Sequence, residues 1–175
     1  MCDKRPRRTV SALHWTNPSW SRDGQWIYFG SKRSGWSEIW KVPAAGGEAV
    51  QITPNGKERD VPQESPDGKF LYYWEAETPG RGGVWRIPTG GGEESKMDDW
   101  GGCTVGEHGI CFVTRTDKQG HRDLIFYDSP TGKTKKILTI ENKAFFFRVS
   151  PDVRTVLCSQ VDEAGSDLML VENFR

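Results

Sequence analysis

Cys103, His108 and Cys111 form the tightest group of metal-ligating side chains in this 175-residue chain. A zinc site needs about four Cys, His or carboxylate ligands at short range, and this group offers three. A disulfide between the two cysteines fares no better. With a three-residue turn after Thr104, Cys103 is expected to face Gly109. Cys111 then sits one diagonal step away, about 7–8 Å, beyond comfortable disulfide reach. Thr131-Gly132-Lys133-Thr134 has the letters that end a phosphate-binding loop. The full motif requires a further glycine where Tyr127 stands, and a helix where residues 135–138 read as a strand. Serine-hydrolase chemistry needs a Gly-x-Ser-x-Gly elbow above a parallel sheet, and no such motif occurs. Glu38, Asp123 and Asp167 each open a strand, with Gly83 at the matching position of the remaining repeat. Calcium would need six or more converging oxygens, so the recurrence predicts a structural acceptor for a neighbouring loop. His14 and His121 fall in connecting segments, and Cys2 reads as a loose thiol. The expectation is no catalytic residue, no cofactor and no metal.

What positions these residues is a repeat. Asn17-Pro18-Ser19-Trp20-Ser21-Arg22-Asp23-Gly24-Gln25-Trp26-Ile27-Tyr28-Phe29 returns as Val61-Pro62-Gln63-Glu64-Ser65-Pro66-Asp67-Gly68-Lys69-Phe70-Leu71-Tyr72-Tyr73. It returns again from Phe147 through Ser150-Pro151-Asp152-Val153 to Cys158, and in worn form from Gly102 to Phe112. Taking Ser21, Ser65, Thr104 and Ser150 as anchors, the spacings are 44, 39 and 46 residues. A period near 40–45 is the length of one four-stranded propeller blade. Within each repeat a short strand ends at the anchor, and a tight turn of the Pro-Asp-Gly kind, complete at Pro66-Asp67-Gly68, follows. An aromatic, β-branched strand follows, over residues 26–30 and 70–74 for example. Third strands are expected at 38–42, 83–87, 123–127 and 167–171. Glycine or proline turns close them, and fourth strands end near 52, 94–96 and 138. No amphipathic helix is evident. The predicted fold is all-β, a propeller segment with blades over 11–53, 54–96, 97–139 and 140–175.

Composition narrows the function classes. Lys and Arg number 24 against 24 Asp and Glu, which removes the broad basic field of a nucleic-acid binder. No apolar run approaches the roughly 18 residues that span a bilayer, so no membrane insertion is expected. The charged opening Met1-Cys2-Asp3-Lys4-Arg5-Pro6-Arg7-Arg8 lacks an apolar segment behind it and is not a signal peptide. As written, the chain is expected in the cytoplasm, although a parent propeller in the periplasm is also compatible. Four cysteines are too few for a disulfide scaffold.

Two of the four turns, with the aromatic strands after them, match almost letter for letter the Ser-Pro-Asp-Gly signature of the TolB-type, WD-like β-propeller repeat of bacteria, which the chain resembles over roughly residues 7–175. The ending from Gly165 to Arg175 is similar to the C-terminus of propellers fused to winged-helix regulators or serine/threonine kinases. In such relatives the propeller senses or binds, so the resemblance implies a non-catalytic module with a protein or peptide partner. Two alternatives stay open: the gate of a prolyl-oligopeptidase-like peptidase without its hydrolase, and a sugar-lyase propeller. The latter would need histidines converging on the channel, and the three present occupy unrelated repeat positions.

Residues 7–10 read as an orphan fourth strand for the last blade, which would remove an open edge. Four blades is the low end of the propeller range. A fragment of a larger propeller, a four-bladed ring and a homodimer sharing an eight-bladed ring are the three expectations. Binding is expected on the variable segments between second and third strands: 31–37, where Trp36 stands, 75–82, 114–122 and 160–166.

Overall fold

The computed structural model describes residues 15–172 apart from 55, 79–80, 99–102, 115–116, 141–143, 151 and 163–164. Of residues 15, 78, 81, 98, 144–146 and 160–172 it describes the backbone alone. Residues 7–10, Cys2 and His14 therefore lie outside the described residues. Every element found among the described residues is a strand.

Four antiparallel sheets follow one another along the chain. The first holds β1 (Trp15–Trp20), β2 (Trp26–Ser31), β3 (Glu38–Pro43) and β4 (Val50–Gln51). The second holds β5 (Glu58–Glu64), β6 (Phe70–Thr78), β7 (Arg81–Pro88) and β8 (Ser95–Asp98). The third holds β9 (Cys103–Val105), β10 (Gly109–Val113), β11 (Arg122–Asp128) and β12 (Thr134–Ile140). The fourth holds three described strands, β13 (Ala144–Val149), β14 (Thr155–Asp162) and β15 (Gly165–Glu172). Each sheet is a meander, and the first strands are neighbours, β1 against β5, β5 against β9 and β9 against β13. That is the radial stacking of propeller blades.

The serine turn explains why the repeat keeps its letters. Ser21 Oγ donates to Asp23 Oδ1 at 2.6 Å and accepts the Trp26 N–H at 2.8 Å. Ser65 does the same with Asp67 and Phe70, at 2.6 and 3.0 Å. Ser150 repeats it with Asp152 and Thr155, at 2.6 and 2.9 Å. One hydroxyl thus ties the end of the first strand to the start of the second. Foremost through that bond, the carboxyls of Asp23, Asp67 and Asp152 are held below the usual range. Gly24 and Gly68 take the left-handed position at φ +68° and +70°, where glycine pays no Cβ penalty. Val153 stands there in the fourth sheet, at φ 58°, an outlier for a β-branched residue.

The third sheet departs from expectation. Gly106 N–H bonds the Gly109 carbonyl at 2.9 Å, where the other turns pair Ser21 with Trp26 and Ser65 with Phe70. Gly106, not Thr104, therefore occupies the anchor position, and the true spacings are 44, 41 and 44 residues. The turn is two residues shorter, which shifts the register. Cys103 lies opposite Phe112 and Thr104 opposite Cys111, so the expected Cys103–Gly109 pairing is corrected.

The apolar cores lie between sheets, because the period-2 alternation of each second strand sends neighbours to opposite faces. Leu71 and Tyr73 point back onto Tyr28 and Ile39 of the first sheet. Tyr72 points forward onto Ile110 and Phe112, and Cys111 and Val113 forward again onto Val149 and Val156. Each fully buried large side chain here contributes about 1.5–3 kcal/mol.

Candidate interaction rim

The loop from Lys32 to Ser37 connects β2 to β3 and carries Trp36, half exposed at 50%. A Lys32 carbonyl to Gly35 N–H bond of 2.9 Å shapes it, with Gly35 at φ +101°. Arg33 does not stay in solvent. Its guanidinium stacks over the rings of Trp40 and Phe29, 4.7 and 5.4 Å from their centroids. Both ends of the loop are tied to the next blade. Lys32 Nζ meets Glu58 Oε1 at 3.1 Å, and the Arg59 N–H donates to the Ser37 carbonyl at 2.6 Å.

Beneath this loop is a buried ionic hub. Arg59 is 1% exposed, and its fork reaches three carboxylates. Nη1 meets Glu38 Oε2 at 2.7 Å, Nε meets Glu75 Oε2 at 2.9 Å, and Nη2 meets Glu94 Oε2 at 2.9 Å. Nη1 also donates to the Pro54 carbonyl at 2.5 Å. Lys57 Nζ reaches Glu75 Oε1 at 2.5 Å, and the Tyr73 hydroxyl donates to Glu94 Oε1 at 2.5 Å. Glu38 further accepts the Thr53 hydroxyl at 2.8 Å and the Lys57 N–H at 3.3 Å. Burial alone would lower the Arg59 pKa, but the bond to Glu38 and the charges of Glu94 and Glu38 outweigh it and hold it raised. Burial first, then the Glu94 bond, raises the Tyr73 hydroxyl.

The innermost strands carry a polar ladder. The side chain of Asp60 accepts from Thr16 Oγ1 at 2.8 Å, Asn17 Nδ2 at 2.9 Å and the Val61 N–H at 2.7 Å. Ser19 Oγ donates to the Pro62 carbonyl at 2.6 Å, and Gln63 bridges to both Cys103 O and Val105 N, at 3.2 and 3.0 Å. Asn17 and Val61, at φ 45° and 56°, form the bulges that open this ladder. Its partners are all within the chain, so it holds blades together.

Cys103 and Cys111 are buried free thiols on opposite faces of the third sheet, one facing Phe112 and the other Val113 and Leu124. Burial pushes both pKa values up to about 12. His108 is exposed on the short turn, away from both. His121 Nδ1 lies 3.4 Å from Asp117 Oδ2 inside its own loop. Thr131 and Gly132 make a hairpin turn closed by Asp128 N–H on Lys133 O at 2.9 Å. Glu38 is the structural acceptor its position predicted, and Asp123 accepts from Thr139 at 2.8 Å and Lys136 at 2.9 Å. Only the backbone of Asp167 is described. The segment 75–82 is not a loop over its length. β6 runs on to Thr78 and β7 starts at Arg81, so Glu75 is fully buried. No helix among the described residues is long and apolar enough to cross a membrane.

No protein-family model matches the chain. An uncharacterised protein of Agrobacterium fabrum is 41% identical over 56 residues, 32% of this chain and 19% of that protein. Among solved structures, TolB from Acinetobacter baumannii superposes at TM-score 0.67 with 19% identity, over 90% of this chain and 40% of its own. A TolB assignment from Agrobacterium tumefaciens gives TM-score 0.67 at 15% identity, over 91% and 58%. A puromycin-hydrolysing peptidase of Mycobacterium tuberculosis gives 0.69 at 13%, over 94% and 28%. An oligogalacturonate lyase is also similar, at TM-score 0.62 and 19% identity over 86% and 48%. The chain thus spans 40% and 58% of the two TolB chains. At these identities the likeness shows architecture, and the architecture is that of a TolB-type β-propeller.

Proposed function

We propose that this segment is a non-catalytic propeller module that binds a protein or peptide partner on the rim carrying the Lys32–Ser37 loop. The observation behind it is Trp36, half exposed on a loop pinned at both flanks to the next blade. A large aromatic presented on a fixed loop is the anchor type that dominates binding energy at protein interfaces. Reactive groups do not support catalysis in the same way. The buried thiols are raised out of the reactive range, and the hub's charges are mutually paired.

A photoreactive benzoylphenylalanine at position 36, compared with one at Ala45 on the opposite rim, tests the reading in cells of the source organism. One defined adduct from position 36 and none from 45 is the expected result. No adduct from 36, or equal adducts from both, contradicts it. A second reading, the propeller of a peptidase, draws on the likeness to the puromycin-hydrolysing enzyme. A hydrolase recovered as the position-36 adduct would favour it.

A further inference from the structure

Buried ion clusters are poor stabilisers, since desolvation offsets much of their attraction and apolar replacements of similar volume are often as stable. The molecule demonstrates the alternative. The interfaces between the second and third and the third and fourth sheets close with apolar side chains such as Tyr72, Ile110, Leu124 and Val156. Closing one blade on another therefore does not require Arg59 and its carboxylates. What distinguishes the first interface is the loop above it. Glu38, fully buried, is two residues from Trp36, and its carboxylate is gripped by Arg59, Thr53 and the Lys57 N–H. The Arg59 backbone takes the Ser37 carbonyl at 2.6 Å. One residue thus holds the loop's last carbonyl with its main chain and the first residue of β3 with its side chain.

We propose that Arg59, acting through Glu38, is the positioning residue of the interaction rim: it fixes the Lys32–Ser37 loop so that Trp36 is presented in one orientation. This rests on the rim-binding reading above. The hub is specificity hardware for a surface, not a stabiliser of the blade. A planar fork is suited to this, because it meets the three carboxylates from three separate nitrogens, a span that the single ammonium nitrogen of lysine does not have.

The test compares wild type, Arg59→Lys, the apolar triple Arg59→Met/Glu38→Leu/Glu75→Leu, and Leu124→Ala, which weakens a distant core. Two readouts are taken. The first is hydrogen exchange of the amides at positions 35 and 59, the two that close the loop. We expect exchange about tenfold or more faster in Arg59→Lys and in the triple, with β6 and β10 amides unchanged. Leu124→Ala should leave positions 35 and 59 at wild-type rates. The second is the yield of the position-36 adduct, which should fall in the same two variants and persist in Leu124→Ala. Unchanged loop exchange in both hub variants overturns the positioning role, and so does loosened exchange with full adduct yield. If wild type itself gives no adduct, the rim-binding reading fails, and the positioning proposal with it. Should the triple not fold, Arg59→Lys carries both readouts alone.

Discussion

The first blade interface and the third share an apolar core and differ in what is added to it. Between the first and second sheets, a buried guanidinium meets three carboxylates under an exposed tryptophan loop. Between the third and fourth, Cys111, Val113 and Leu124 meet Val149 and Val156, with no ion pair there among the described residues. Both join radially stacked sheets of one repeat. The difference teaches that apolar contacts alone can stack two blades, and on the proposal above the added ionic hub serves the rim. An apolar interface can slide by small steps, because its contacts have little direction. A forked guanidinium cannot, because each bond demands its own geometry.

The sharpest way to break this contrast is Arg59→Met alone. It leaves Glu38 and Glu75 buried without their cation, so unfolding free energy in urea should fall by about 3–5 kcal/mol. At the apolar interface Leu124→Ala removes a fully buried side chain, at an expected cost of about 2–5 kcal/mol by the same measurement. The serine turns offer a smaller contrast. Ser65→Ala loses a hydroxyl that both donates and accepts, at about 1–2 kcal/mol. Thr104→Val should be close to neutral, since the Thr104 hydroxyl is buried without a bonding partner in the structure and the anchor has moved to Gly106. Val153→Gly should instead give a small gain, since it relieves left-handed strain worth about 1–2 kcal/mol, less what its partial packing contributes.

The turn carboxyls also sharpen the comparison. Asp67 has a depressed folded pKa, mainly through the Ser65 hydroxyl. Its stabilisation is therefore complete above the ordinary carboxylate value of 3.8 and is lost as pH falls through the folded value. Asp67→Asn should flatten the acid limb of a stability–pH profile below about pH 4, while Thr104→Val leaves that limb intact.

The fold was legible because the turn chemistry is local. The serine turn writes its hydrogen bonds into six consecutive residues, and the second strands carry their own alternation. The third turn was misplaced by two residues for the same reason. With Ser, Pro and Asp all replaced, only the backbone bond from Gly106 to Gly109 marks the anchor, and a sequence does not display that bond. The hub was half legible. Glu38 stood out by recurrence, but Arg59 sits where the first repeat has Trp15. The signal for Glu75 was present: Leu71, Tyr73 and Glu75 alternate, so one buried face contains all three. Reading residues 75–82 as loop concealed it. The ladder on the innermost strands was not legible, because Asp60 and Gln63 find partners 40 to 44 residues away.

The central claim is that the hub orients the rim and does not stabilise the blade, and equilibrium urea unfolding of two variants tests it most directly. If the claim holds, Arg59→Met is strongly destabilised, while Arg59→Met/Glu38→Leu/Glu75→Leu recovers to within about 1 kcal/mol of wild type. A triple variant as unstable as the single one would show that the ion network itself holds the first two blades together, and the account would be wrong.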